Sequence, residues 1–124
     1  MRSVFYFDDE ATLLDLFQQM FGREYDVRTA SVLAEARRLL SERPADIVIS
    51  DQDMPEISGK EFLGEAAKLY PASFRVMLTG AMLAGEALPE IVSGVIQLFV
   101  TKPWSKAIMQ QVLERACAQI DVDR

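Results

Sequence analysis

Short apolar runs alternate with amphipathic helical patterns from one end of the chain to the other, and this alternation limits the fold most. "SVFYF" (Ser3 to Phe7) is a continuous apolar run, as in a strand covered on both faces. Leu13, Leu14, Phe17, Met20 and Phe21 then recur at helical spacing, and Gly22 is positioned to end that helix. "YDVRTA" (Tyr25 to Ala30) reads as a more exposed strand. Ser31 is a candidate cap for a second helix carrying Leu33, Ala36, Leu39 and Leu40, which ends before Pro44. "DIVIS" (Asp46 to Ser50) is a third strand, and Phe62, Leu63, Ala66, Ala67, Leu69 and Tyr70 make a third helix that stops at Pro71. "FRVMLT" (Phe74 to Thr79) and "IQLFV" (Ile96 to Val100) are the fourth and fifth strands. Gly80, Gly85, Pro89 and Gly94 interrupt the segment between them, so only a short helix around Leu88 to Ser93 is expected there. Ser105 caps a last helix whose Ile108, Met109, Val112, Leu113, Ala116 and Ile120 form one stripe. Five strands alternating with five helices predict an α/β fold, a doubly wound parallel sheet with right-handed crossovers.

The totals restrict function. A chain of 124 residues is one domain, spanning 1–124, and is long enough to bury a core without disulfides or structural metals. Nineteen acidic against thirteen basic residues give a net charge of −6, which disfavours direct nucleic-acid binding or attachment to an anionic membrane. The single cysteine, Cys117, rules out an internal disulfide, and no apolar run reaches the length of a membrane span. "DDE" follows the first apolar residues too early for a signal peptide, so a cytoplasmic setting is expected. Zero histidines exclude Ser-His and Cys-His nucleophile pairs, histidine metal sites and a phosphohistidine carried by this chain. Any chemistry falls to carboxylates, Lys, Thr and bound ions.

In a doubly wound sheet, ligands gather at the carboxyl ends of the strands, near the switch in strand order. The residues delivered there are Asp8, Asp9 and Glu10 after the first strand, and Asp51 with Asp53 after the third. Thr79 ends the fourth, and Lys102 with Pro103 follows the fifth. Converging carboxylates repel unless a cation sits among them, and all-oxygen ligands with room for water suit Mg²⁺. A nearby lysine and hydroxyl are the donors that an incoming phosphoryl group needs. Asp51 then reads as a nucleophile held ionised by metal and Lys102.

The chain resembles the receiver domain of two-component response regulators (the CheY-like family) over essentially its whole length. "FDDE" is similar to the family's acidic pair after the first strand, and "DIVISDQDMPEISGKEF" to its phosphoacceptor strand and loop, with Pro55 and Gly59 at the usual positions. "MLTG" carries the hydroxyl position and "FVTKPW" the lysine-proline pair. The resemblance implies a flavodoxin-like sheet of strand order 2-1-3-4-5, with Asp51 phosphorylated by the phosphohistidine of a sensor histidine kinase or phosphotransfer protein. It implies Mg²⁺ bound by Asp8, Asp9, Asp51 and the backbone carbonyl of Asp53. Thr79 and Lys102 would each meet a phosphoryl oxygen, the Lys102–Pro103 bond would be cis, and Phe99 matches the aromatic switch position. A surface formed by the fourth helix, fifth strand and fifth helix would then change shape toward an output domain, a partner protein or a second copy. Such a module is not an enzyme on other substrates; it catalyses only its own aspartyl phosphorylation and dephosphorylation. The wording around "LTG" and "FVTKPW", with Gly94 eight residues before Lys102, most resembles receivers joined to cyclic-dinucleotide phosphodiesterase modules.

Other readings are weaker on the residues. As a calcium loop, "DQDMPEISGKEF" has Pro55 at the fifth place, Glu56 where glycine is needed and Phe62 where glutamate is needed. An aspartyl-phosphate phosphatase carries its Asp-x-Asp after the first strand, not the third, and needs a cap domain. A receiver-like module that binds partners unphosphorylated would not need the full set of acids, Thr79 and Lys102. Asp53, where the family often has Asn or Met, is expected to alter phosphoryl lifetime, and small Ala81 to leave the site open to water. Met82, Leu83, Leu88, Ile91 and Val92 are expected to supply an apolar docking surface. Trp104 is expected to pack the start of the last helix, and Cys117 to carry no chemistry.

Overall fold

The computed structural model describes residues 1–80, 89, 91 and 93–123. Strands β1 (Ser3–Phe7), β2 (Asp26–Ala30), β3 (Ile47–Asp51), β4 (Phe74–Thr79) and β5 (Leu98–Thr101) form one sheet. Every pairing is parallel, and the order is β2-β1-β3-β4-β5, as expected. Helices α1 (Ala11–Phe21), α2 (Leu33–Glu42), α3 (Gly59–Leu69) and α4 (Lys106–Asp123) connect and flank it. The described residues thus hold four helices rather than the expected five. The short helix around Leu88 to Ser93 falls largely outside the described residues, as do Ala81 and most of the expected docking residues, Met82, Leu83, Leu88 and Val92. Of that set Ile91 is described, and it is exposed.

Period-two alternation splits the sheet into two packed faces. Val4, Tyr6, Ile47, Ile49, Phe74, Val76, Leu78 and Val100 pack with Phe17 and Phe21 of α1 and Met109, Leu113 and Ala116 of α4. Phe5, Phe7, Val48 and Met77 pack with Ala36 and Leu40 of α2 and Phe62, Leu63 and Ala66 of α3. The edge strand β2 is only half-buried over its first four residues, in line with its polar sequence.

Local chemistry explains where elements begin. Ser58 caps α3 by accepting from the Glu61 N–H at 3.1 Å, and Ser105 caps α4 by accepting from the Ile108 N–H at 3.1 Å. Ser31 does not cap α2: the residue before the helix is Val32, and the Glu56 carboxylate accepts from the Leu33 N–H at 3.0 Å instead. The cap therefore comes from the loop after β3, which local spacing does not reveal. Strand β5 begins at Leu98 rather than Ile96. The Gln97 side chain accepts the Arg75 N–H at 2.7 Å, and the buried Arg75 guanidinium donates to the Gly94 and Val95 carbonyls at 2.9 and 2.6 Å. The Gln97 N–H still donates to the Arg75 carbonyl at 2.9 Å, so only the Arg75 N–H turns from backbone to side chain.

The loop from β3 to α3 folds back tightly on its own start. Gln52 accepts the Gly59 N–H at 3.0 Å through its backbone and the Lys60 N–H at 2.9 Å through its side chain. Both donors belong to the first turn of α3, which has no intrahelical acceptors for them. A Cβ on Gly59 would collide with the Asp51 carbonyl and come within 2.9 Å of Gln52 Cα, whereas one on Gly64 would meet nothing within 4 Å. Gly59→Ala is therefore expected to cost about 1–3 kcal/mol through forced backbone movement. Gly64→Ala, in mid-helix, is expected to gain about 0.5–1 kcal/mol. Urea denaturation of the two variants beside the parent checks both signs, and equal effects would contradict the packing argument.

Candidate functional site

The alternation that builds the core also delivers the charged groups. Asp51 continues the parity of Ile47 and Ile49, Asp8 that of Val4 and Tyr6, and Lys102 that of Val100. All three emerge at the carboxyl end of the sheet on the side covered by α1 and α4. Thr79 and Phe99 have the opposite parity, that of Met77.

The carboxylates meet closely. One oxygen each from Asp8, Asp9 and Asp51 lies within 4.8 Å of the others, with Asp8 and Asp51 buried and Asp9 exposed. Lys102 Nζ lies 3.4 Å from Asp51 Oδ1, 3.3 Å from Asp8 Oδ2 and 3.6 Å from Glu10 Oε1. Its backbone is fixed independently, because the Lys102 N–H donates to the Thr79 carbonyl at 2.8 Å. The Lys102–Pro103 peptide is cis, as expected.

Asp8 is fully buried and held by three donors: the Tyr6 hydroxyl at 2.6 Å, the Glu10 N–H at 3.0 Å and Lys102. Burial, and after it the charge of Asp8, pushes the Asp51 carboxyl above its ordinary 3.8, while Lys102 and a backbone hydrogen bond from Asp53 pull it back. Burial alone would depress the Lys102 ammonium, but Asp8 and Asp51 together outweigh it and hold its pKa above the ordinary lysine value. Burial, reinforced by the bond to Asp8, raises the Tyr6 phenol far out of its normal range, so it stays a donor.

The remaining expected residues fall around this centre. Thr79 is buried at the end of β4, one residue beyond the Asp51 partner Leu78. Phe99 is half-buried against the core on the α2 and α3 side. Asp53 and Pro55 are exposed in the loop, Gly59 is buried under it, and Pro103 is exposed. Trp104 packs against the α1 and α4 core, its ring edge-on to Phe17 at 6.0 Å.

Sequence reasoning missed Tyr6, Glu56 and the reach of Glu10 to Lys102. Of these, only Tyr6 left a readable signal: a hydroxyl in an otherwise apolar run, two residues before Asp8 and so on the same strand face.

Chemically, the donor set is hard oxygen only, with one side open through exposed Asp9. That suits a small divalent cation keeping part of its water shell, Mg²⁺ before a softer metal. Lys102 is the charge beside which an anionic group could settle next to Asp51.

The sequence pattern described as "Response regulator receiver domain" matches residues 4–114. Transcriptional regulatory protein GlrR of Escherichia coli K12 is 34% identical over 113 residues, covering 90% of this chain and 25% of that protein. The chain thus spans about a quarter of that relative's length. The crystal structure of a response regulator receiver domain protein from Clostridium thermocellum superposes with a TM-score of 0.89 at 25% identity, covering 100% of both chains. The signal receiver domain of an HD domain-containing protein from Pseudomonas fluorescens Pf-5 gives 0.88 at 26%, covering 98% of this chain and 99% of that one.

The raised Asp51 carboxyl has a consequence for stability. As pH rises past 3.8, the unfolded chain releases this proton first. Folding is therefore disfavoured increasingly up to the raised folded value, and the cost stays in full above it. Below 3.8 both states hold the proton and the cost is gone. Asp51→Asn is expected to stabilise the metal-free protein at about pH 7 and to lose that gain by about pH 3. Guanidinium denaturation in EDTA across that range measures it; a gain independent of pH would contradict the assignment.

Proposed function

Because the chain belongs to the response regulator receiver domain family, a module of two-component signalling, we propose that Asp51 is its phosphoacceptor. We read residues 1–124 as that one domain, working in the cytoplasm. The observation that carries the reading is the Asp51 carboxylate at the tip of β3, grouped within 4.8 Å with Asp8 and Asp9 and lying 3.4 Å from Lys102.

One Asp51 oxygen attacks the phosphorus of a kinase or phosphotransfer phosphohistidine. The P–O bond forms as the P–N bond breaks, and the imidazole leaves neutral, keeping the proton its other ring nitrogen already carries. Lys102, poised beside Asp51, pairs with a phosphoryl oxygen, and the Thr79 hydroxyl donates to another. Asp8, Asp9, Asp51 and the Asp53 carbonyl would hold Mg²⁺, and the ion would supply positive charge beside the transferring group. Buried Asp8 anchors the set, while exposed Asp9 leaves the entry side open to water. Asp53 adds charge beside this entry and alters how long the phosphoryl group survives.

Phosphorylation adds about −1.5 to −2 charge units at Asp51. Thr79 turns toward them, and Phe99, on the same strand face as Thr79, moves into the space it leaves. The face around β5 and α4 then differs between the two states, which biases a partner, an output domain or a second copy. The likeness to the transcriptional regulatory protein GlrR and to the receiver of an HD domain-containing protein supports an output domain as what this face controls.

Incubation with acetyl phosphate and Mg²⁺ is expected to add one phosphoryl group by intact mass. The gain should vanish in Asp51→Asn and without the metal. No mass gain in the parent, or an unchanged gain in Asp51→Asn, would overturn the assignment. The phosphoryl lifetime of Asp53→Asn should differ from the parent's; identical decay would remove the role given to Asp53.

A further inference from the structure

We propose that Tyr6 is a positioning residue for the acidic pocket, its hydroxyl holding the Asp8 carboxylate in the orientation in which a divalent cation meets it. The inference rests on the cation reading above and extends it to a side chain beneath the ligands.

Tyr6 and Asp8 are both fully buried, and the hydroxyl donates to Asp8 Oδ2 at 2.6 Å. Neither group can exchange the other for bulk water, so the bond is the phenol's means of satisfying its donor. The Glu10 N–H donates to the other oxygen, Oδ1, at 3.0 Å. One fixed donor on each oxygen sets the plane of the carboxylate and leaves lone pairs on both oxygens for other partners. The third donor, Lys102, is different in kind, because its ammonium is shared with Asp51 and Glu10 on a flexible stem. Lys102 can leave Asp8; Tyr6 cannot.

The ring itself is immobilised. It lies edge-on to Phe17 at a centroid distance of 5.1 Å, and Phe17 in turn meets Trp104. The hydroxyl is therefore aimed by the core between β1 and α1 rather than by the pocket it serves. Partners of this kind orient metal ligands, and their loss commonly weakens metal binding about 10–100-fold. The bland alternative is a tyrosine that merely finds an acceptor where it happens to be buried. That alternative affects stability and leaves cation affinity alone.

The test is Mg²⁺ titration of the chain by calorimetry, with fluorescence of Trp104, its one tryptophan, as a second readout. Melting in EDTA reports the fold separately. The parent should bind, Asp8→Asn should not, and Tyr6→Phe should bind about 10–100-fold more weakly while melting cooperatively without metal. Tyr6→Leu, which also lacks the hydroxyl, repeats the measurement on a different packing solution. Hydroxyl-free variants that bind Mg²⁺ as tightly as the parent, or more tightly, overturn the inference and leave the cation site standing. A parent that binds no Mg²⁺ overturns the cation reading and this inference with it.

Discussion

Two buried carboxylates and one exposed one share a few ångströms with a single lysine, and the carboxyl end of this fold is arranged around that imbalance. Lys102 approaches Asp8, Asp51 and Glu10 within 3.3 to 3.6 Å, yet one cation cannot neutralise three anions. The rest of the compensation comes from dipoles. The Tyr6 hydroxyl and the Glu10 N–H serve Asp8, and a backbone bond from Asp53 serves Asp51. Such donors stabilise ionised groups without adding charge, which leaves the pocket net negative. The raised Asp51 carboxyl is the residue of that compromise. Fewer donors would let Asp51 keep its proton, and more would blunt its basicity.

The same alternation that separates the two cores separates two kinds of site residue. Tyr6, Asp8, Asp51 and Lys102 share a parity, and so does the core they sit on, facing α1 and α4. Thr79 and Phe99 face the other way, over the layer of α2 and α3. The two sets touch through the backbone, where the Lys102 N–H meets the Thr79 carbonyl at 2.8 Å. The two sets therefore lie a single backbone hydrogen bond apart. Loop anchoring adds a third tie. Gln52 binds the start of α3, and Glu56 binds the start of α2, so the segment after Asp51 is pinned to both helices of the opposite layer.

Most of this framework was legible because it depends on short-range patterns. Apolar runs gave β1, β3 and β4, stripes of period 3.6 gave the four described helices, and strand-end acids with a distant lysine gave the site. What was hidden depends on partners far apart in sequence. The α2 cap belongs to Glu56, 23 residues beyond the N–H it receives. Just before β5, the Arg75 N–H goes to the Gln97 side chain, 22 residues further along. Tyr6 was hidden for another reason: a tyrosine in a buried strand reads as core, and it is core. Only the position of Asp8 on the same strand face gives its hydroxyl a second use.

Instability of the metal-free pocket and attraction for a cation are one quantity viewed twice. Every kilocalorie by which clustered charge disfavours the folded chain is returned when a ligand that binds only the folded state relieves it. Burial strengthens both sides, since screening by solvent weakens where Asp8 and Asp51 are almost wholly removed from water. A surface cluster of three acids would repel less and attract less. Placing the acids at the end of β1 and β3, the neighbouring inner strands at the sheet's switch point, therefore matters beyond proximity. Those strands are buried along their whole length, so they can hold like charges together where a loop would spread them apart. A rigid core makes the electrostatic cost unavoidable, and an unavoidable cost is what a cation bound here would relieve.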